Sequence, residues 1–579
     1  MANDNLEKLR HSSAHLLAQA IKSLYPKVKL GVGPVIENGF YYDFDNLEIK
    51  ESDFNKIENK MRGIIKRNYK FVKSKKQRKA AEKILKDEPY KLELLKGLKN
   101  NDITFYQDGD FVDLCKGPHV NSSKDVKFFK LTKIAGAYWK GDSKNKMLTR
   151  IYGTAFHNEN ELKDYLKLEA EAEEKNHVNL GKRLGLFVID ETIGKGLPLL
   201  TPKGTTIRRV LERFIQDEEI KRGYQYTRTP VLAKSDLYKI SGHIDHFRDD
   251  MFIFDANGEE FALRPMTCPH QFMIYKSELR SYRDLPIKYA EIADLFRNEK
   301  TGELHGLIRV RQFSLADAHI FCRDDQVEKE FENVLDLIQY VMKTLGFKDY
   351  WYRFSKWDPK DKKKYVNNPK AWKNTQKIMK NIVDKLKLKY VEADGEAAFY
   401  GPKLDIQMRN VFGKEDTVFT VQIDFALPEK FELTYEGEDG KKHRPIVIHR
   451  SSIGCLERTI AMLIEHTGGN FPLWLSPTQI RILTINDKNI KFANEVLDKL
   501  SEEGLRVELN DRNESIPKKV RDAQVEKIPI VITIGDKEQK NKKLAVRTLN
   551  GKVKFNVNIN KLATIVKENI ENKNAKFSI

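Results

Sequence analysis

The stretch that constrains this chain most is KYAEIADLFRNEKTGELHGLIRVRQFSLADAHIF, residues 288–321. Two alternating runs flank a glycine-containing segment, which predicts strand, loop, strand. Arg297 and Glu299 stand two residues apart where the first strand ends and so share a face. Arg309, Arg311 and Phe313 alternate on the return strand. Asp317 and His319 keep their parity if that strand runs on, with Ile308 and Val310 on the other face. One face then carries guanidinium, aromatic, carboxylate and imidazole groups. That set suits a nucleotide: arginines for phosphate, a ring to stack on a base, and polar groups for a second substrate. The same parity also describes an antiparallel hairpin with a solvated, charged face.

A chain of 579 residues has room for about three to five domains. Hydrophobic residues at 40% and charged residues at 32% exclude wholesale disorder. The net charge of +19 favours an anionic partner such as nucleic acid, although a plain lysine bias produces the same surplus. Cys115, Cys268, Cys322 and Cys455 form no C-x-x-C pair, so reduced thiols in a cytoplasmic protein are expected. The N-terminus has no long apolar core of a signal peptide, and no apolar run approaches the ~20 residues that span a bilayer.

Residues 7–24 read as a helix with His11 and His15 one above the other, a pair able to bind metal or position water and equally an ordinary pair of helix histidines. Asp113-Leu-Cys115-Lys-Gly-Pro-His119 puts a thiol and an imidazole in one turn-rich segment. Lys60 to Lys79 holds ten Lys/Arg and no acid, which fits an RNA-facing helix or a solvated basic face. Residues 160–180 form an acidic amphipathic helix, expected to connect domains. A long helix follows, with Thr205 or Thr206 as N-cap, and another spans 327–346. The lysine-rich span 356–390 reads as an exposed insertion with helical character. Residues 398–406 and 417–425 alternate as strands around a turn at Gly413. Residues 445–458 read as a buried strand entering a helix that Ser451 or Ser452 can cap. Arg458 then lies in the early turns, where the helix dipole favours phosphate. Beyond residue 477, strands and helices alternate, which implies an α/β unit with a mixed sheet.

Phe296-Arg297-Asn298-Glu299 followed by Arg309-Val310-Arg311-x-Phe313 resembles motif 2 of the class II aminoacyl-tRNA synthetases. The continuation to Asp317-Ala318-His319 is similar to the threonyl-tRNA synthetase family in particular. Arg222-Gly223-Tyr224 through Thr229-Pro230 is similar to motif 1, the dimer element, and Gly454-x-x-x-Arg458 to motif 3. Met266-Thr267-Cys268-Pro269 resembles a segment of the same family, while His270 and Gln271 receive no role from it. HSSAH and CKGPH, with GVGPVIENGFYYDF between them, resemble the family's editing domain. The C-terminal part resembles the anticodon-binding domain of class IIa synthetases. Asp416-Thr417 departs from the family's Trp-Gln pair and puts one nucleotide contact in question.

The resemblance implies an α+β multidomain protein. Its parts are an α+β editing domain (1–160), a linker helix (161–180), a catalytic domain built on the class II antiparallel sheet (181–475) and an α/β anticodon-binding domain (476–579). It implies ATP-dependent attachment of L-threonine to tRNA(Thr) through threonyl-adenylate, with hydrolysis of Ser-tRNA(Thr). Arg297 would hold the α-phosphate and Arg458 the γ-phosphate. Phe313 would stack on adenine, Glu299 and Arg309 would orient the nucleotide, and Mg2+ would accompany ATP. Asp317, Tyr400, Lys403 and Gln422 match substrate positions, and Glu538 and Arg547 match positions that read anticodon bases. Cys268, His319 and His449 would bind one Zn2+ per subunit. Three ligands leave tetrahedral zinc an open position, which a β-hydroxyl can fill and valine cannot. Serine differs from threonine by one methyl group, worth only ~1–3 kcal/mol, so an editing site should accompany the zinc. His11, His15, Cys115 and His119 carry over to that site, with Lys91 and Asp113. A cytoplasmic homodimer is expected, without the small ubiquitin-like N-terminal module, since only ten residues precede His11. A seryl- or prolyl-type synthetase, or a non-catalytic RNA-binding paralogue, would share parts of the pattern but not all of it.

Overall fold

The computed structural model describes residues 2–99, 102–142 and 144–579. The chain divides into two compact units, Met1–Glu171 and Ala172–Ile579.

In the first unit, helix Ala2–Leu24 presents Leu9, Leu16, Leu17 and Ile21 to a sheet, at the three- and four-residue spacing of one helical face. Phe40, Tyr42 and Phe44 meet them from strand Gly39–Asp45. That strand pairs antiparallel with Met147–Phe156, which pairs in turn with Phe128–Tyr138. A second antiparallel sheet comprises Val72–Gln77, Asp102–Asp108 and Phe111–Leu114. The basic run 60–79 is therefore not one helix. Helix Phe54–Lys66 ends, and Val72–Gln77 pairs as an edge strand with its lysines in solvent, since the ladder partner supplies what an all-basic helix face could not. The acidic helix extends from Glu159 to Lys175, and Asn176 then caps a separate helix, His177–Arg183, by accepting from the Val178 amide.

The second unit is organised on an eight-stranded sheet. Its order is Gln225–Tyr226, Ile287–Phe296, Gln312–Cys322, Ile446–Cys455, Glu415–Asp424, Lys403–Arg409, Tyr350–Lys356, Tyr390–Asp394. The two outermost pairings are parallel and the rest antiparallel. Helices Val327–Leu345 and Leu456–Thr467 cover one face with leucine, isoleucine and valine. The long helix begins at Pro202, with Thr201 rather than Thr205 or Thr206 as N-cap, because proline suits the first helical position and the Thr201 hydroxyl reaches the Gly204 amide. The span 356–390 is not merely an exposed insertion. Its helix Pro369–Lys385 buries Met379, Ile382 and Val383 in the main core, and Trp372 is fully buried against Trp357. Its lysines occupy the other side. The C-terminal sheet runs Val507–Asn510, Ile480–Thr484, Ile530–Ile534, Leu544–Thr548, Val553–Val557, the first three parallel and the last two antiparallel. All four cysteines are free, and no helix among the described residues is long and apolar enough to cross a membrane.

Asp108, at the end of its strand, is 0% exposed and neither carboxylate oxygen has a hydrogen-bond partner among the described residues. Burial, reinforced by the Asp113 carboxylate, pushes its pKa up to about 8. The unfolded chain ionises the same group near pH ~4. From there to about pH 8 the folded state holds the extra proton, so this group costs stability as pH rises. Every tenfold difference in proton affinity between the folded and unfolded chain is worth at most ~1.4 kcal/mol. Thermal unfolding of Asp108→Asn at pH 6 and pH 9 should show a smaller loss than the unsubstituted protein suffers; parallel losses would contradict the assignment.

Candidate functional sites

The uncovered face of the large sheet floors a cavity of about 1170 Å³. The antiparallel register sets His319 opposite both Tyr289 and His449, and Phe313 opposite Leu295. Arg297, Glu299, Arg309, Phe313, Asp317, Tyr400, Gln422 and Arg458 all line this cavity, as do Cys268, His319 and His449. Lys403 does not: its ammonium pairs at 3.3 Å with buried Asp405, which also holds Arg353 and Ser355.

The return strand starts only at Gln312, so Arg309 and Arg311 lie in the preceding loop. There the Ile308 and Arg309 amides donate to the His305 carbonyl, and a turn has no two-residue alternation. Ile308 and Val310 consequently line the cavity instead of facing away, and Arg311 turns aside to the Glu299 and Lys195 carbonyls. The Arg297 guanidinium sits 5.1 Å from the centre of the Phe313 ring. Arg309 bridges Glu299 and Glu303, 2.8 Å from each. Arg458 donates to the carbonyls of Ile308 (3.1 Å) and Thr417 (2.7 Å). The departure at Asp416-Thr417 leaves this second contact intact, because it uses backbone. Three guanidinium groups at one cavity make a site for a polyphosphate.

Strand Ile446–Cys455 runs further than expected and the helix opens at Leu456 with Cys455 as N-cap, so Ser451 and Ser452 lie inside the strand. Ser452 donates instead to Glu219, beside the buried Arg450–Glu219 pair. Gly454 is required at φ +70°, where a Cβ would come within 2.2 Å of the Val418 carbonyl.

At the inner end of the cavity, the ligand atoms of Cys268, His319 and His449 lie within 4.8 Å of one another, all buried. His319 Nδ1 donates to the Gln271 carboxamide oxygen at 2.5 Å, and Gln271 donates in turn to Thr227 Oγ1 at 2.8 Å. His449 Nε2 lies 2.8 Å from Asp424, itself fixed by the Ala426 and Leu427 amides. Each ring is thereby oriented with its other nitrogen left to ligate. Burial holds His319 well below the ordinary imidazole range, in the neutral, metal-binding form, and pushes the Cys268 thiol up. A divalent cation is the partner that would stabilise a thiolate there. One sulfur and two imidazole nitrogens in a buried pocket fit zinc. Tyr400 stacks on His449, ring centres 5.0 Å apart, and donates to Gln422.

Two residues at the site escaped the sequence, Gln271 behind a ligand and His243 on the cavity wall. Gln271 orients a ligand from one turn past Cys268, and the only signal was its place in the Cys-Pro helix. His243 is buried, its ring edge-on to Phe399 at 5.1 Å and its Nδ1 2.7 Å from Ser241, and burial brings its pKa down to about 3. Nothing local to His243 marks it.

The first unit gathers the second set of expected residues. Cys115 Sγ is 3.2 Å from His11 Nε2 and 3.3 Å from His119 Nε2, and accepts from the Gly117 amide. The rings of His11 and His15 lie 4.2 and 4.3 Å from that of His119. Ser12 meets His119 Nδ1 at 3.1 Å. Behind them Lys91 and Asp113 form a buried pair at 2.6 Å, with the Tyr42 hydroxyl on Asp113 at 2.7 Å. Burial lowers all three imidazoles and raises Cys115 to about 11. The cluster therefore offers neutral lone pairs and an intact thiol, suited to holding a water by hydrogen bonds rather than to thiolate attack. Its four donor atoms also lie within 4.8 Å of one another. In the C-terminal domain the expected base readers are engaged locally. Glu538 accepts from the Gly535 amide and Arg547 donates to the Gly551 carbonyl.

Residues 246–467 match the tRNA synthetase class II core domain (G, H, P, S and T). Residues 479–569 match an anticodon binding domain, and residues 103–152 the threonyl and alanyl tRNA synthetase second additional domain. The chain is 54% identical over 553 residues to a threonine–tRNA ligase of Clostridium botulinum, covering 94% of this chain and 86% of that one. Its identity to a threonine–tRNA ligase of Oceanobacillus iheyensis is 47% over 580 residues, or 99% and 90% of the two chains. Among solved structures, the RNA binding domain of threonyl-tRNA synthetase from Cryptosporidium parvum Iowa II aligns with a TM-score of 0.65 at 34% identity, covering 68% of this chain and 98% of that one. With the class II core, the editing-type domain and the anticodon-binding domain in one chain, this protein belongs to the threonine–tRNA ligase family.

Proposed function

We infer that this chain attaches L-threonine to tRNA(Thr) at the expense of ATP and hydrolyses Ser-tRNA(Thr). The observation that carries the reading is the shared cavity: three phosphate-seeking arginines and a buried Cys-His-His donor set on one face of one sheet. The threonine carboxylate attacks the α-phosphorus of ATP, and the bond to pyrophosphate breaks. A terminal hydroxyl of the tRNA then attacks the threonyl carbonyl, and AMP leaves. Catalysis is positioning and charge neutralisation, with Mg2+ accompanying the phosphates. Arg297 holds the α-phosphate and Arg458 the γ-phosphate. Phe313 supplies the adenine platform, and Glu299 holds Arg309 in place beside the nucleotide. Tyr400, Gln422 and Asp317 position the amino acid at the inner end. Zinc, when bound by Cys268, His319 and His449, supplies an open coordination position for a hydroxyl-bearing amino acid. Lys403, engaged by Asp405, acts on the substrate strand rather than on substrate. His11, His15, Cys115 and His119 position water against the seryl ester, with Asp113 and Lys91 as their buried support. Glu538 and Arg547 read anticodon bases. The motif-1 strand at the sheet edge and the free thiols support a cytoplasmic homodimer.

Purified protein should contain zinc and exchange pyrophosphate into ATP with threonine. His449→Ala should lose the metal by elemental analysis and lose its preference for threonine over valine. A metal-free protein with full exchange, or no exchange at all, would end this reading. Cys115→Ala should leave threonylation intact and slow Ser-tRNA hydrolysis by at least ~100-fold, so that Ser-tRNA accumulates; hydrolysis at the original rate would remove the editing assignment.

A further inference from the structure

His177 belongs to none of the motifs, yet it is 0% exposed and bonded at its amide and both ring nitrogens. It opens the helix His177–Arg183, the first element after the acidic helix. The Leu307 amide donates to its Nε2 at 3.2 Å. That nitrogen therefore carries no proton and Nδ1 does, donating to Glu465 Oε1 at 2.7 Å. Glu465 lies on the helix that carries Arg458, and its other oxygen accepts from the Val411 amide in the turn between strands Lys403–Arg409 and Glu415–Asp424. Gly306 packs so closely that a Cβ there would come within 2.1 Å of His177 Nε2. The next carbonyl but one, that of Ile308, is the acceptor for Arg458. A buried histidine bonded on both nitrogens is often ordinary core. This one is bonded to the loop that carries Arg309 and to the helix that carries Arg458.

We propose that His177 is a positioning residue for ATP, its neutral imidazole fastening the Leu307 amide and so the turn whose Ile308 carbonyl holds Arg458. The proposal rests on the synthetase reading above. It predicts a split between two near-isosteric replacements. Glutamine can place an acceptor oxygen near Nε2 and keep the Leu307 contact while losing Glu465. Asparagine can place a donor near Nδ1 and keep Glu465 while leaving the Leu307 amide buried and unpaired, which costs ~1–3 kcal/mol.

Pyrophosphate exchange by the full chain measures the split. His177→Asn should raise KM for ATP about tenfold, with KM for threonine and the rate of Ser-tRNA hydrolysis little changed. His177→Gln should stay within about twofold of the unsubstituted KM for ATP. Gly306→Ala should raise KM for ATP as well, because at φ +49° a Cβ meets both His177 Nε2 and Val178 Cγ2, and by somewhat less when combined with His177→Ala, which removes one of the two obstacles. These loop variants read the same contact if His177→Asn does not fold. Equal KM for ATP in the asparagine and glutamine variants, or additive effects of Gly306→Ala and His177→Ala, would overturn the proposal. Absence of exchange in the unsubstituted protein would overturn the synthetase reading, and this inference with it.

Discussion

Two imidazoles held face to edge across neighbouring antiparallel strands are the constraint around which the larger unit is arranged. His319 and His449 have ring centroids 4.6 Å apart at 90°, and the register that pairs them is set by the strands Gln312–Cys322 and Ile446–Cys455. Slipping either strand by one residue would turn its ring to the opposite face. Burial keeps the His319 ring neutral, and the pair needs to be oriented from outside and given something to bind. Gln271 and Asp424 do the orienting. The same register that aligns the histidines aligns Phe313, Asp317 and Gln422 along the cavity.

The first unit solves a related problem with different surroundings. Its three histidines and Cys115 are also kept uncharged by burial, but the polar support is the Lys91–Asp113–Tyr42 network beside them. The two sites complement each other chemically. Under the proposed function, a cavity that selects by hydroxyl would reject valine and admit serine, and a hydrolytic cluster would remove what the first site lets through. Asp108 marks the cost of burying a carboxylate so close to that cluster: burial, and then the neighbouring Asp113, drive it towards its neutral form.

The phosphate end of the cavity depends less on side-chain chemistry than on backbone. Arg458 is held by two carbonyls, Gly454 allows its helix to start where it does, and the 305–309 turn is fastened at Leu307 by His177. A guanidinium with the fixed support of Arg458 would lose little freedom on binding a phosphate.

The sequence by itself determined the identity of the elements and of most chemical groups. Alternation named the strands around Phe313 and Gln422, a buried apolar run named the one at His449, helical spacing paired His11 with His15, and contiguous motifs marked Arg297, Cys115 and Arg458, because each is a local pattern of a few residues. Periodicity also misled locally: it carried the return strand back to Arg309, where a turn bonded to the His305 carbonyl breaks the alternation. Capping residue types pointed to Thr205 or Thr206 and to Ser451 or Ser452, where the caps are Thr201 and Cys455. Only the tertiary structure decided which groups meet. Cys268, His319 and His449 are separated by long stretches of chain, Lys403 is drawn to Asp405 rather than the cavity, and Gln271, His243 and His177 acquire partners from elements far away in sequence. Pairing of that kind is set by strand register and by what each buried polar atom must find, and neither leaves a mark in the neighbouring residues.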